Sequence, residues 1–455
     1  MSKASILNRQ LIFEKLLKQL SETGPLKAKD LCKFLNISQP AFSRLMGKGQ
    51  SSIIRIGQGP QTLYACHRQG AWGKSEIPVV VIDETGAETV AATLHPLSPK
   101  GFYFESLTKM FSSQIYEGLP YFFEDLRPSG FLGRLIPRLH PDLDLPKDIS
   151  MWTDDHSLLY LTHYGWDLIG NFIIGEKAND IYLENRIKRL DVVPENKREE
   201  RYPQIANLVM SAGIPGSSAA GEQPKFLVLR ETREGHLPVL VKFSPPIRDA
   251  ISRRVADLLI CEHIAHQVLR QHGRTSLQSC LIHGEGRLFL EMERFDRNIS
   301  GGRRGLLSLR ALDLEFVGQL RSWSETAESL FRQKIIDQVT YQNIVWLEVF
   351  GKWIGNSDRH QGNISLFCDG EKITGLAPVY DMLPMMYAPQ QNQLVARSFE
   401  PSPPKFFEIS VWNSALEAAR YFWSQVQQHS QISEEFKVLT ADNESKLNFC
   451  AAGGI

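Results

Sequence analysis

The sequence of 455 residues predicts a mixed α/β (α+β) protein of two to four domains, preceded by a small basic helical module. Three observations predict this organisation. The chain is too long for a single hydrophobic core. Apolar strand patterns alternate with helix patterns through residues 206–300. Lysine and arginine outnumber aspartate and glutamate by eleven to three in residues 1–68, although the formal net charge of the whole chain is zero.

Composition indicates an ordinary soluble globular protein, since 42% of the residues are apolar and 22% are charged. The six cysteines are scattered without a CxxC pair, so they predict neither a disulfide framework nor a zinc site. No apolar run reaches the roughly eighteen residues of a membrane span, and the N-terminal helix pattern lacks the apolar segment of a signal peptide. The expected location is therefore cytoplasmic, or nucleoid-associated when bound to DNA, with no membrane partner.

The basic residues 1–68 predict a helix-turn-helix followed by a β-hairpin. Apolar side chains at i, i+3, i+4 and i+7 predict the first helix, which ends at Gly24-Pro25. A second helix over 26–35 and a short polar turn precede a third helix that begins near Gln39. Two strand patterns within 53–64 enclose a glycine-rich turn. Together these elements resemble a winged helix-turn-helix domain.

This organisation predicts that residues 1–68 bind DNA. The third helix would present its polar side chains to a major groove, and the net charge of +8 would attract a polyanion. The alternative is a small helical docking module with a solvated basic face. Salt-dependent binding to duplex DNA distinguishes the two interpretations. The predicted DNA-contacting side chains are Gln39, Ser43, Arg44 and Lys48.

Residues 69–205 predict a second α/β unit with little functional signal. Strand patterns cover 78–82 and 168–174, aromatic side chains between 97 and 118 predict a core, and the highly charged stretch 183–201 predicts a connector. Four further residues have metal-ligand chemistry but irregular spacing, so solvated loop positions are the preferred interpretation. They are Asp154, Asp155, His156 and His163.

The next part of the chain carries features of a nucleotide-binding site. Small residues at 216–225 would let backbone amides approach phosphate oxygens, and those of Ala220 and Gly221 are among them. The alternative is an ordinary surface loop, which has the same composition. Lys242 lies in an apolar strand pattern, and Glu262 lies on an apolar helix stripe. Because a buried carboxylate needs a cationic partner, we expect the two to pair as they do in kinases. A glutamate that reaches water from the helix edge is the alternative.

The polar parts of a phosphoryl-transfer site follow. The strand and polar turn at 288–297 fit the hinge between the two lobes of a kinase. The alternative is an ordinary strand end that carries a salt bridge. Asp358 and Asn363 stand five residues apart behind a buried helix pattern, and Asp381 follows a short hairpin. The first carboxylate can orient a substrate hydroxyl, while the amide and the second carboxylate can hold Mg²⁺ against ATP. His360 would help to position the nucleotide.

Four motifs resemble the HipA family of bacterial serine/threonine kinases: SAAGEQPK at 218–225, MERFDR at 292–297, NSDRHQGN at 356–363 and VYD at 379–381. The resemblance covers roughly residues 75–430. It implies a bilobed kinase-like fold with a largely helical C-terminal lobe, and ATP and Mg²⁺ as cofactors. The larger YjjJ-like members, which carry a fused helix-turn-helix, are the most similar. The predicted domains are 1–68, 69–205, 206–300 and 301–455.

The resemblance also implies roles and partners. Family members autophosphorylate a serine of the glycine-rich loop and thereby inactivate themselves; Ser218 matches that position, with Ser217 beside it, whereas Pro224 replaces a commonly acidic residue. They act as growth-inhibiting toxins on protein substrates, with an aminoacyl-tRNA synthetase as the best-known target, and a separate antitoxin usually restrains them. The implied roles are ATP-phosphate contact by Lys242, adenine-hinge contact by Glu293 and Phe295, catalysis by Asp358, and metal binding by Asn363 and Asp381.

Three functions compete at this point. The first is an ATP-dependent protein kinase of HipA toxin type with a fused DNA-binding domain. The second is a transcription regulator whose kinase-like part only senses ATP, and the third is a scaffold without a nucleotide. The kinase is favoured because a degenerate kinase usually loses at least one essential polar residue. This chain retains Lys242, Asp358, Asn363 and Asp381.

Overall fold

The computed structural model describes residues 3–47, 52–188, 192–212, 223–400 and 404–451. Its first unit contains three helices and a three-stranded antiparallel sheet with the order β1-β3-β2. Apolar side chains of the helices and of the hairpin meet in one core. The elements are α1 (Lys3–Thr23), β1 (Leu26–Lys27), α2 (Ala28–Leu35), α3 (Gln39–Met46), β2 (Ile53–Ile56) and β3 (Leu63–Cys66).

A short turn separates α2 from α3 as predicted, although the side chain of Ser38 forms no capping hydrogen bond, and the start of α2 differs from the prediction. Asn36 adopts a left-handed conformation (φ 52°) that ends α2, and Pro40 occupies the first turn of α3. The helix predicted over 26–35 begins at Ala28. The two residues before it form β1 instead, because their backbone pairs with β3.

A five-stranded antiparallel sheet with the order β7-β6-β5-β4-β8 forms the middle unit. Aromatic rings form its core: the centroids of Phe104 and Phe172 lie 5.0 and 5.7 Å from that of Phe122. The aromatic core that the sequence predicted is therefore confirmed. The elements are β4 (Ile77–Ile82), β5 (Glu88–Pro96), β6 (Phe102–Ser106), β7 (Gln114–Tyr116), α4 (Gly130–Leu139), α5 (Asp154–Tyr164), β8 (Phe172–Ile174) and α6 (Glu176–Lys188).

Two predictions for this part of the chain agree with the structure only in part. The strand pattern at 168–174 forms a strand only in its last three residues; a helical turn ends at Asp167, and the positive φ of Gly170 (77°) interrupts an extended strand. The stretch 183–201 leads from one unit to the next, as predicted for a connector, but it includes the end of α6 at Lys188 and the start of α7 (Arg198–Ala212). Just after this stretch, α7 buries Tyr202 while Glu199, Glu200 and Arg201 face solvent.

The polar residues at the start of α5 have structural partners. Asp154 and Asp155 form ion pairs with Arg127 and Arg68, at 2.6 and 2.9 Å. His156 takes part in the N-terminal cap of α5. These contacts attach α5 to its surroundings. The sequence predicted loop positions for these two aspartates, His156 and His163, but all four lie in helix α5.

The third unit is a five-stranded sheet with the order β12-β13-β11-β10-β9. Side chains alternate between its two faces, so Phe289 packs toward α7 while Leu288 and Leu290 pack toward α8. The sheet is thus covered by a helix on each face. Its elements, with α8, are β9 (Val192–Val193), β10 (Lys225–Glu231), β11 (His236–Phe243), α8 (Ala250–Gln271), β12 (Ser279–Gly284) and β13 (Arg287–Glu293).

The C-terminal part is mostly helical, with a small antiparallel sheet of order β14-β15-β16. Three fully buried tryptophans, Trp346, Trp353 and Trp423, lie where the helix 338–353 packs against the helix 409–428. No helix among the described residues is both long and apolar enough to span a bilayer. The elements are β14 (Gly305–Ser308), α9 (Leu309–Phe316), α10 (Trp323–Arg332), α11 (Gln338–Trp353), β15 (Ser365–Asp369), β16 (Lys372–Leu376), α12 (Ile409–Gln428) and α13 (Glu434–Ala451).

Candidate active site

Lys242 lies in a buried charged cluster between the third sheet and α8. Its neighbours in β11, Val241 and Phe243, pack toward α7, so the alternation of the strand directs Lys242 toward α8. The Nζ atom of Lys242 donates to both carboxylate oxygens of Glu262, at 2.6 and 2.7 Å. Glu262 is fully buried on the apolar face of α8. The structure therefore contains the strand–helix ion pair that the periodic patterns indicated.

Asp381 is the third charged group of this cluster. Its Oδ1 accepts a hydrogen bond from Lys242, and its backbone N–H donates to Glu262 Oε1 at 3.1 Å. Burial opposes the charge of Lys242, but Asp381 and Glu262 outweigh this effect and raise the pKa of the ammonium. Burial also opposes the charge of Asp381, yet Lys242 holds the pKa of this carboxyl below its usual range. Lys242 and Asp381 are therefore both charged at neutral pH.

The backbone of Asp381 is held in an uncommon conformation. Its φ of 53° lies in the left-handed region, which residues other than glycine rarely adopt. Such conformations persist where surrounding contacts impose them, and they cluster at functional sites. Here the N–H of Asp381 is bound by Glu262, and its carbonyl accepts from Asn356 Nδ2 at 3.2 Å. These contacts direct the carboxylate toward Lys242.

Asn356 connects this cluster to the loop that carries Asp358 and Asn363. Besides its bond to Asp381, Asn356 accepts the backbone N–H of Asp358 on its Oδ1 at 3.0 Å. Asn363 Nδ2 donates to the carbonyl of Asp358 at 2.9 Å, which directs the amide nitrogen into the loop and leaves Oδ1 as the ligand-type atom. The sequence did not predict a role for Asn356; its place in the motif at 356–363 was the available signal.

Buried Gln361 anchors the same loop to the C-terminal helices. Its Nε2 donates to Asp313 Oδ2 at 3.1 Å and to Thr326 Oγ1 at 2.8 Å. The indole Nε1 of Trp323 donates to the carbonyl of His360 at 2.9 Å. These partners lie on α9 and α10, far away in sequence, so no local pattern predicted them. The loop is thereby fixed on its inner side while its outer side faces solvent.

Asp358 combines solvent access with a perturbed pKa. Its side chain is exposed on one side. Partial burial raises the pKa of the carboxyl, His360 opposes this shift, and the charge of Asp381 reinforces it. A carboxylate with these properties can accept a proton from a hydroxyl that approaches from solvent. His360 itself is exposed, and its Nδ1 accepts the N–H of Gly362 at 3.1 Å; its role toward a nucleotide stays a prediction.

The predicted hinge residues lie at the end of β13. Glu293 is half-buried and lies 3.6 Å from Arg230, so the salt bridge of the alternative interpretation is also present. The ring of Phe295 stacks on that of Tyr380, with 5.9 Å between centroids and an angle of 20°. Because Tyr380 precedes Asp381, this stack joins the hinge to the charged cluster.

Buried charges attach the hinge to the middle unit. Arg294 and Arg297 each donate to Asp167 at 3.1 Å and pair with Asp296 at 3.0 and 2.8 Å. The backbone N–H of Gly170 donates to Asp296 at 2.9 Å. We refer to these five residues as the hinge network. The sequence motif contained three of them, but their partners at 167 and 170 were not predicted.

Several predicted residues lie outside the described part of the chain. Among them are the two serines proposed as phosphate acceptors and two small residues of the same loop. The fourth residue proposed to contact DNA is another. These residues are Ser217, Ser218, Ala220, Gly221 and Lys48.

His266, one turn after Glu262, provides a test of the cluster by pH. Burial and the charge of Lys242 lower the pKa of His266 from 6.5 to about 3. The unfolded chain therefore takes up this proton at a higher pH than the folded protein, so stability falls as the pH drops from 6.5 toward 3. We expect His266→Phe to flatten the dependence of Tm on pH between 6.5 and 4. Exposed His283 is the control: the His283→Ala profile should follow that of the unchanged protein, and equal slopes in both variants would contradict the prediction.

Two family models match the chain. The model for the middle domain of YjjJ-like toxins matches residues 73–183, and the model for the HipA-like C-terminal domain matches residues 217–440. Toxin YjjJ of Escherichia coli (strain K12) is 36% identical over 430 residues, which cover 93% of this chain and 95% of the relative. The chain belongs to the YjjJ-like toxins, within the HipA-like family.

The YjjJ-like chain also resembles a solved HipA structure. That structure is described as the Shewanella oneidensis MR-1 toxin–antitoxin system of HipA, HipB and its operator DNA. The match covers 81% of this chain and 95% of the other, with a TM-score of 0.50 and 16% sequence identity. It shows that the two share a fold. The mixed α/β architecture inferred from the sequence is therefore that of a HipA-like protein.

Proposed function

We propose that this YjjJ-like protein is an ATP- and Mg²⁺-dependent protein serine/threonine kinase with a DNA-binding N-terminal module. The observation that carries the proposal is the continuous connection from the Lys242–Glu262–Asp381 cluster, through Asn356, to Asp358. A strand lysine paired with a helix glutamate, beside a metal-type aspartate, is the arrangement by which kinases hold ATP phosphates.

The described residues fit both cofactors. Carboxylate and amide oxygens are the ligands that Mg²⁺ prefers, and Asp381 and Asn363 supply them. Lys242 offers a fixed positive charge to phosphate oxygens, and Glu262 holds that charge in place. When bound, Mg²⁺ and ATP supply the phosphoryl group and neutralise the negative charge that develops on it.

Asp358 is the residue that acts on the substrate. Its carboxylate orients a serine or threonine hydroxyl and accepts the hydroxyl proton. Asn356 and Asn363 hold the backbone on either side of this carboxylate, so its position depends little on the substrate. Because Asp358 faces solvent, a segment of another protein can reach it. By the family resemblance we propose a translation component, such as an aminoacyl-tRNA synthetase, as the class of substrate, and an antitoxin as a restraining partner.

The proposal is tested by incubating the full-length protein with Mg²⁺ and ATP labelled in its γ-phosphate, and by mapping the modified residue by mass spectrometry. We expect one phosphate on Ser217 or Ser218. Ser217→Ala combined with Ser218→Ala should lose the label, whereas Ser300→Ala, at an exposed serine elsewhere, should retain it. Binding of ATP without phosphate transfer to protein would instead support the ATP sensor.

DNA binding is proposed for the first unit, interpreted as a winged helix-turn-helix. Gln39, Ser43 and Arg44 are all exposed on α3, as a recognition helix requires. We expect Arg44→Ala to weaken binding to duplex DNA and to lower the slope of log affinity against log salt by about 1, because a phosphate contact is lost. Fluorescence anisotropy at several salt concentrations measures both quantities. Lys147→Ala, at an exposed site of the middle unit, should bind like the unchanged protein; equal loss in both variants would contradict a specific role for α3.

A further inference from the structure

Two buried histidines meet where the first unit joins the middle sheet. His67 directly follows β3, and His95 lies in β5; they are 9% and 3% exposed. The Nε2 atom of His67 and the Nδ1 atom of His95 are 3.2 Å apart. Glu76, just before β4, brings a carboxylate oxygen within 4.8 Å of a nitrogen of each ring. Three potential ligand atoms thus converge from three separate segments.

The spacing of these atoms fits a single metal ion. Two nitrogen ligands of a tetrahedral Zn²⁺, each about 2.0–2.1 Å from the ion, lie roughly 3.3 Å from each other. The two histidine nitrogens already have this separation. Glu76 is exposed, so its side chain can approach the histidines by a change of rotamer. A set of two imidazoles and one carboxylate suits divalent transition metals rather than Mg²⁺ or Ca²⁺.

An outer hydrogen bond orients one of the two rings. His95 Nε2 lies 3.1 Å from Glu105 Oε2, which assigns the ring proton to Nε2 and leaves the lone pair of Nδ1 directed at His67. A carboxylate on the far nitrogen of a histidine is a recurring feature of metal sites, where it fixes the ring and its tautomer. Without a metal, the 3.2 Å contact is a hydrogen bond in which Nε2–H of His67 donates to Nδ1 of His95. A metal bound between the two nitrogens would need the lone pair of each, so the proton of His67 would then lie on its Nδ1.

We propose that His67, Glu76 and His95 bind a divalent transition metal with water as the fourth ligand. Zn²⁺ is the metal proposed. The site bridges two units that are already in contact. The backbone N–H of Arg68 donates to Pro96 at 2.8 Å, and that of Ser98 donates to Cys66 at 2.9 Å. The metal adds a cross-link at the same junction and holds the first unit on the middle sheet. This proposal is independent of the proposed kinase activity.

The test is Zn²⁺ binding by the full-length protein after treatment with a chelator. Competition with a chromophoric chelator gives the affinity and stoichiometry, and Co²⁺ in place of Zn²⁺ gives an absorption spectrum. We expect one Zn²⁺ per chain, and the intense visible bands of tetrahedral Co²⁺ without a thiolate charge-transfer band. Glu105→Gln should weaken binding by about 10- to 100-fold, and His95→Ala should abolish it.

Two variants keep this test decisive. Glu76→Gln changes an exposed side chain, so it should fold normally and still lose at least as much affinity as Glu105→Gln. His283→Ala removes an exposed histidine of β12 and should bind Zn²⁺ like the unchanged protein. The proposal is overturned if the unchanged protein binds no Zn²⁺, if Glu76→Gln binds as tightly as the unchanged protein, or if the Co²⁺ spectrum shows thiolate bands.

Discussion

Asp358→Asn is expected to lower the rate of phosphate incorporation by about 10²- to 10⁴-fold, because an amide cannot accept the proton of the attacking hydroxyl. The substitution keeps the shape of the side chain. The backbone N–H of Asp358 still donates to Asn356, and the Lys242 cluster is unchanged. Affinity for ATP should therefore stay within a factor of about two. Initial rates with labelled ATP and titration calorimetry measure the two quantities.

Two further variants define the result. Asp369→Asn, at an exposed carboxylate of the hairpin between β15 and β16, should incorporate phosphate at the full rate. Asp381→Ala should be as inactive as Asp358→Asn, and it should also lose the dependence of ATP affinity on Mg²⁺. If Asp358→Asn transferred phosphate at the rate of Asp369→Asn, the role proposed for Asp358 would be wrong.

Glu262→Ala is expected to have the largest effect on stability. Among the described residues, the buried ammonium of Lys242 then has one carboxylate contact left, that of Asp381. Loss of one member of a buried ion pair typically costs about 3–5 kcal/mol. We expect the lower end of this range, because Asp381 compensates part of the charge. Hydrogen exchange at the amides of β11 and α8 measures the local free energy of opening.

Gln267→Ala is the matched control, since Gln267 is exposed on the same helix. Its effect should stay within about 0.5 kcal/mol. The variant Glu262→Gln keeps an oxygen that can accept from Lys242 and from the backbone N–H of Asp381, so it should be more stable than Glu262→Ala. If amide hydrogens of β11 and α8 exchanged equally fast in Glu262→Ala and Gln267→Ala, the ion pair would not contribute to the stability of this region.

The charged cluster was accessible from the sequence because its signals are local. One lysine in an apolar strand and one glutamate on an apolar helix stripe require each other once both are buried. Asp358 and Asn363 lie five residues apart in one loop, so their spacing can also be recognised within a short stretch of sequence. By contrast, Gln361 acts through partners on α9 and α10, and such contacts depend on tertiary packing that no short window contains.

The differences from the prediction have a related cause. The stretch 183–201 was interpreted from its charge, and the buried residue that indicates α7, Tyr202, lies just beyond it. At 26–27 a helix pattern yielded to the pairing of two residues with β3. In both places a non-local surface, a sheet face or a strand edge, determined the local structure.

The hinge network has a mechanical consequence. Separation of the hinge from the middle unit would break the ion pairs of Arg294 and Arg297 with Asp167 and the hydrogen bond from Gly170 to Asp296. We therefore expect the two parts to move together. A displacement of the middle unit is then expected to reach Phe295 and, through the stacked ring of Tyr380, the neighbouring Asp381 with its left-handed backbone.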